Sequence, residues 1–210
     1  MSVKTGPPTR QPRSGSSKTE RAAQAAGTRR DLLQHARKLF EQKGYTDSST
    51  DEVVRRAKVT KGALYHHFAN KLELYRAVVE DMERELVAQM SAAAGEARQP
   101  QKKLEAACRA YLDACLDSSL TRILVLEAPV VLGWKEWCAL AHQHEIAALA
   151  QYLESVVAKS ATGERPLEMA HVLLGALNTA ARVIATSDEP EKARHQVEGT
   201  IDRLLKGLGY

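Results

Sequence analysis

The sequence predicts an all-α protein built as a small N-terminal three-helix unit followed by a larger C-terminal helical bundle. Three observations carry that prediction. Apolar residues make up 44% of the chain but aromatic residues only 5%, and Ala and Leu dominate over Val and Ile, a balance that favours helices over strands. Apolar positions recur at three- and four-residue spacing in one segment after another. Helix punctuation falls between those segments: Gly44, Ser49 with Glu52, Thr60, Asn70, Pro100 and Pro166. A chain of 210 residues is long enough for a small domain plus a larger one, each with its own core.

Residues 1–27 are rich in Pro, Ser, Gly, Thr and basic side chains and offer little to bury, so a disordered basic arm is expected there. Lys4, Arg10, Arg13, Lys18, Arg21, Arg29 and Arg30 face Glu20 alone, so the first 30 residues carry +6 of a net +4, leaving about −2 on the rest. A basic front end on a slightly acidic body points to nucleic acid met from one end. The arm is either a solvated tail or a strand of charge that follows a DNA groove or backbone. A first helix begins at Thr28 or Arg29, with Leu32, Leu33, Ala36, Leu39 and Phe40 on one face, and ends at Gly44. Tyr45 is expected beneath the following pair of helices.

Ser49 and Glu52 have capping-box spacing, so a second helix starts there and turns Val53, Val54 and Ala57 inward. Lys58 and Val59 connect it to a third helix, capped by Thr60 and held down by Ala63, Leu64 and Phe68. The residues left outward are Lys61, Gly62, Tyr65, His66 and His67. An ammonium, a bare glycine, a phenol and two imidazoles beside a helix N-terminus suit phosphates and base edges. Such a pair of helices is a helix-turn-helix, whose second helix enters the major groove while the first braces it across the backbone. Asn70 caps the next helix, with Lys71 in its first turn, where a cation opposes the helix dipole and an external anion would account for it.

Phe40, Gly44, Tyr45, Thr50, Val59, Thr60, Lys61, Gly62, Leu64, Tyr65, Phe68, Asn70, Lys71 and Leu74 stand in the order and spacing of one family. Over residues 28–80 the chain resembles the DNA-binding domain of the TetR family of bacterial transcriptional regulators. That resemblance implies operator contacts from Thr50, Thr60, Lys61, Gly62, Tyr65, His66, His67 and Lys71, with 28–74 as the DNA-binding domain and 75–210 as an effector-binding and dimerisation domain. Two positions depart from the pattern. Lys58 stands where the family has glycine in the turn, so either the turn is reshaped or Lys58 offsets about 1 kcal/mol of left-handed strain at a phosphate. Asp51 stands where some relatives place a base-reading cation, and in an N-terminal turn it serves the helix instead.

From Lys71 a longer helix carries Leu72, Tyr75, Val78, Val79, Met82, Leu86 and Met90 toward a break at Gly95 to Pro100. Leu104–Leu116 reads as one helix, Arg122–Leu126 as a shorter one ended by Pro129, and Trp134–Lys159 as a long one. Gly163 and Pro166 precede Leu167–Thr186, which is apolar nearly all round, and Pro190–Leu208 is amphipathic through Ala193, Val197, Ile201, Leu204 and Leu208. An all-round apolar helix needs cover on every side, so the last two helices, about 167–208, are expected to form a two-fold homodimer interface, with Leu177 on it. A dimer would place two reading heads on a palindromic duplex.

The resemblance further implies a small-molecule pocket in the body, whose occupancy weakens DNA binding through linkage. The candidates are Tyr111, Cys115, Glu127, Trp134, Trp137, His142, Asn178 and Arg182, polar or aromatic residues in segments expected to be buried. Each has a plainer alternative. Trp134 and Trp137 could be core anchors, Asn178 and Arg182 could satisfy each other, and Cys108 and Cys115 could be small core residues. Cys138 and His142 at i, i+4 are two ligands, not a zinc site, so no metal and no cofactor is expected. No nucleophile–base pair or phosphate loop is visible, which argues against an enzyme. Three cysteines without a C-x-x-C pair, no apolar leader, and no uninterrupted membrane-length run suggest a cytoplasmic protein; Val172–Ala185 carries Asn178 and Arg182. The expectation is a sequence-specific transcriptional regulator, a ligand-responsive repressor with operator DNA and an unknown effector as partners. Its rival is an architectural DNA-binding protein with a purely structural bundle.

Overall fold

A computed structural model describes residues 18–157 and 165–207, and all regular elements among them are helical. Helix α1 spans Lys18–Lys43, starting ten residues before the expected Thr28. Residues 18–27, expected in the disordered arm, are therefore helical. They bury little, but a run containing Ala22, Ala23, Ala25 and Ala26 needs only to propagate from a helix already fixed by packing. The rest of the expected arm, 1–17, lies outside the described residues.

Helix α2 (Thr50–Ala57) is capped by Ser49, whose hydroxyl accepts from the Glu52 amide at 3.2 Å. The carboxylate of Glu52 instead receives Lys43 and Arg56, each at 2.8 Å. Lys58 ends α2 in the left-handed conformation, φ 55°, so the turn keeps its shape without glycine. Thr60 caps α3 (Lys61–His67), accepting from the Ala63 amide at 3.1 Å, and Asn70 caps α4 (Lys71–Gly95) through Glu73. Leu32, Leu39, Phe40, Val53, Leu64 and Phe68 form the heart of this three-helix head, with the rings of Phe40, Tyr45 and Tyr75 meeting edge to face.

Helix α4 carries the core out of the head. Its Leu74, Tyr75, Val78, Met82, Leu86 and Met90 are all buried, so head and body share one continuous hydrophobic cluster. Helix α5 (Pro100–Ala114) packs along it. The short α6 (Ser118–Leu120) opens into a π-helical stretch, Thr121–Glu127, which continues as α7 (Ala128–Val131). The expected Arg122–Leu126 helix thus extends at both ends, and Pro129 sits inside it. Here the Ala128 amide reaches back five residues to Ile123, and the wider turn admits a proline that an α register would exclude.

Helices α8 (Trp134–Ala141) and α9 (Ala147–Val157) form the expected long helix, joined by a second π-helical stretch, His142–Ile146. Lys159, Gly163 and Leu208 lie outside the described residues. Helices α10 (Pro166–Ala185) and α11 (Pro190–Gly207) close the bundle. Leu177 is fully buried within its own protomer, so it is not on an outer face as expected. The uncovered side of α10 is instead Leu167, Val172 and Val183, continued by Leu204 of α11. Among the described residues, no helix is long and apolar enough to cross a membrane.

Candidate functional site

Two regions gather the chemistry, an outer face on the head and a cavity in the body. On the head, the caps of α2 and α3 fix Thr50 and Thr60 at adjoining helix starts. The Thr50 hydroxyl and the Tyr65 hydroxyl lie 3.4 Å apart, and Tyr65 is 44% exposed. Lys61 stands in solvent but is steered by Asp51, 2.7 Å away, whose hydrogen bond and charge raise the lysine's pKa. Asp51 therefore orients a cation of the next helix rather than acting on α2 alone. Gly62 is exposed, and a side chain there would meet only the Thr60 hydroxyl, 3.9 Å away. The fold does not require a glycine at that position, so the bare backbone is left for something outside the protein.

Two expected contact residues are less free. The Lys71 ammonium donates to the Thr46 carbonyl at 3.2 Å and lies 4.3 Å over the Tyr45 ring, and partial burial lowers its pKa. Its cation is thus partly met from within. His67 is half-buried, and burial first, then the neighbouring His66 and Arg29, depresses its pKa, whereas His66 is exposed. Lys58 is exposed beside them. Arg55, exposed on α2, was not among the expected residues, although an arginine two turns of chain from Thr60 was the signal for it.

Where α1 ends, the body grips the head. Glu127 accepts the Tyr45 amide at 2.9 Å and pairs with Arg122 at 3.2 Å, while Arg122 donates to the Glu41 carbonyl at 2.9 Å. Gly44 has φ 77°, and a Cβ on it would fall 2.6 Å from Glu127 Oε1. Glycine is needed there both for the backbone turn and for the space. Glu127 is consequently a clamp on the head, not a cavity residue as expected; the π-helical register points it away from the cavity.

The body cavity, of about 220 Å³, is lined by Trp134, Trp137, Asn178 and Arg182 from the expected set, joined by Cys138 and His171, which were missed. The indoles lie 5.1 Å apart, Trp137 buried and Trp134 at the mouth. Asn178 and Arg182 do not satisfy each other: Asn178 accepts from the Tyr111 hydroxyl at 2.9 Å, and Arg182 donates to Thr179. Tyr111 thus stands behind the cavity wall. Cys115 is a core residue whose thiol burial pushes up to about 12, and Cys108 is likewise buried. His142 lies outside the lining, stacked on His171 at 5.5 Å.

Behind Trp137 and Asn178 a second, smaller space is lined by Glu83 and Glu145, neither of them expected. The signal existed: Glu83 sits four residues after Val79 and three before Leu86, on the apolar stripe of α4.

Comparison with known proteins bears on both regions. The family model for bacterial regulatory proteins of the tetR family matches residues 32–78, and that for a tetracyclin repressor-like C-terminal domain matches 101–208. The transposon Tn10 TetC protein of Escherichia coli is 35% identical over 109 residues, covering 52% of this chain and 55% of that protein, so the chain spans about half its length. The HTH-type transcriptional activator FasR of Mycolicibacterium smegmatis is 30% identical over 186 residues, 87% of this chain and 83% of that one. A solved TetR-family regulator from Pectobacterium atrosepticum superposes with a TM-score of 0.75 at 31% identity, over 89% of this chain and 96% of its own.

Proposed function

This chain belongs to the TetR family of bacterial regulatory proteins and is a DNA-binding transcriptional regulator, and from that premise we propose that it is a ligand-responsive repressor of the cytoplasm that binds a palindromic operator as a homodimer. The head, 28–74, docks α3 in the major groove. Gly62 gives close approach, Lys61 and Tyr65 read base edges or phosphates, and Thr50, Lys58, Thr60, His66, His67 and Lys71 fix the register. Lys71 shares its three donors between Thr46 and a phosphate. The observation that carries this reading is the exposed backbone at Gly62, open to a partner and flanked by Thr60, Lys61 and Tyr65.

The second copy packs on the uncovered stripe of α10 and α11, where Val172 is 75% and Leu204 51% exposed. An effector enters the cavity beside Trp134 and favours a body conformation that misplaces the heads; by linkage, DNA disfavours that effector equally. Selection of the purified protein against a randomised duplex library should enrich an inverted repeat. Salt-sensitive binding with no enrichment would favour an architectural role. FasR is an activator, which keeps activation as the second reading. Transcription from a promoter carrying the selected repeat separates the two: fewer transcripts with added protein mark a repressor, more mark an activator.

A further inference from the structure

We propose that the cavity takes a hydrophobic organic cation, an amine or quaternary ammonium whose charge is met by Glu83 and Glu145 in the space behind Trp137 and Asn178. This rests on the ligand-responsive reading above and names the chemistry of that ligand.

Glu83 on α4 and Glu145 in the second π-helical stretch are 2% and 5% exposed and line one enclosed space. Glu83 Oε2 has no hydrogen-bond partner, and among the described residues no cation pairs with either carboxylate. Burying an acid without a partner costs several kcal/mol, and apolar residues of the same volume would stabilise the bundle better. Two such acids in one space are therefore poor packing, and their chemistry is suited to an incoming positive charge.

The surrounding groups supply no buried counter-charge. From α5 come the Tyr111 hydroxyl and the Cys115 thiol, both uncharged because burial raises their pKa. On α4, Glu80 adds like charge to Glu83, and beside Glu145 the imidazole of His144 has its pKa lowered by burial. From α10 come the neutral amide of Asn178 and, at the exposed rim, Arg182, which solvent screens. Left empty, the pair keeps its protons: burial first, then the facing carboxylates, pushes Glu83 up to about 9, and burial pushes Glu145 up to about 7. A bound ammonium would expel those protons and restore ionised carboxylates, with Trp134 and Trp137 offering ring faces to the rest of the cation.

The test uses the full-length protein and three probes of similar size: benzyltrimethylammonium, the neutral neopentylbenzene, and benzenesulfonate. The chain has two tryptophans, Trp134 and Trp137, so quenching of indole fluorescence reports the site directly. The cation should quench saturably and bind about tenfold or more tightly than the neutral probe. Its affinity should rise from about pH 6 to about pH 9 as the carboxyls give up their protons. Glu83→Gln and Glu145→Gln should stay folded and lose the preference for the cation. Independently of any ligand, Glu83 holds its proton to about 9 when folded but has the ordinary value of 4.5 when unfolded. The native state then binds more protons, so stability is greatest below the unfolded value, falls as pH rises through about 9, and falls less in Glu83→Gln.

Equal binding of cation and neutral probe, preference for the sulfonate, or indifference to both substitutions would overturn the inference. If no probe binds while other compounds release the operator, the inference fails and the ligand-responsive reading stands. If no compound of any charge releases the operator, that reading fails with it.

Discussion

Gly62 shows how much one residue can carry at a surface. A helical alanine is more favourable than glycine by about 1 kcal/mol, and the new methyl would meet nothing closer than the Thr60 hydroxyl at 3.9 Å. Gly62→Ala should therefore unfold at the same temperature as the wild type or slightly above it, yet bind the selected duplex about tenfold more weakly or worse. Thermal unfolding and fluorescence anisotropy on the same sample check both halves; unchanged affinity would mean that α3 does not approach DNA at that point. At this scale the sequence was legible where the interaction is local. Ser49, Thr60 and Asn70 cap the helices they were expected to cap, because a cap reaches only two or three residues along the chain. Lys71 and Glu127 were read differently from how they are used. Their partners, Thr46 and Tyr45, are 25 and 82 residues away, and only the folded arrangement brings them near.

At the scale of elements, the π-helical stretch Thr121–Glu127 joins the two halves of the protein. Its register admits Pro129, turns Glu127 and Arg122 toward the end of α1, and offers the Ile123 carbonyl to the Tyr75 hydroxyl at 3.1 Å. A three- and four-residue apolar pattern cannot reveal a five-residue hydrogen bond, so the sequence suggested a short helix stopped by proline. Truncating the clamp by Glu127→Ala leaves the Tyr45 amide and the Arg122 guanidinium without their acceptor. The cost should be about 1–3 kcal/mol, read by urea unfolding, together with faster hydrogen exchange at the Tyr45 amide. Unaltered exchange there would show that the head is held by its shared core alone. Helix α1 teaches the complementary lesson: composition suggested disorder before Thr28, whereas an alanine-rich run attached to a packed helix extends it to Lys18.

At the scale of the whole molecule, the sequence identified the last two helices as apolar beyond the needs of one bundle, but not which side remains open. Periodicity gives a helix its faces without saying which neighbour covers each, and so Leu177, buried at home, was expected at the interface in place of Val172 and Leu204. The cavity was half legible for a related reason. Trp134, Trp137, Asn178 and Arg182 converge there, but Glu83 approaches from α4, far away in the chain. The central claim is a two-headed reader of DNA, and it rests on the open stripe of α10 and α11 as much as on α3. The measurement that tests it most directly is a titration of the selected duplex, with stoichiometry read by sedimentation, for the wild type beside Leu204→Glu. The expected result is two wild-type protomers per duplex, and a folded Leu204→Glu protein that sediments as a monomer and binds about a hundredfold more weakly, since a buried charge at the interface costs several kcal/mol. A single wild-type protomer per duplex, or a Leu204→Glu protein that binds as a dimer with undiminished affinity, would contradict it.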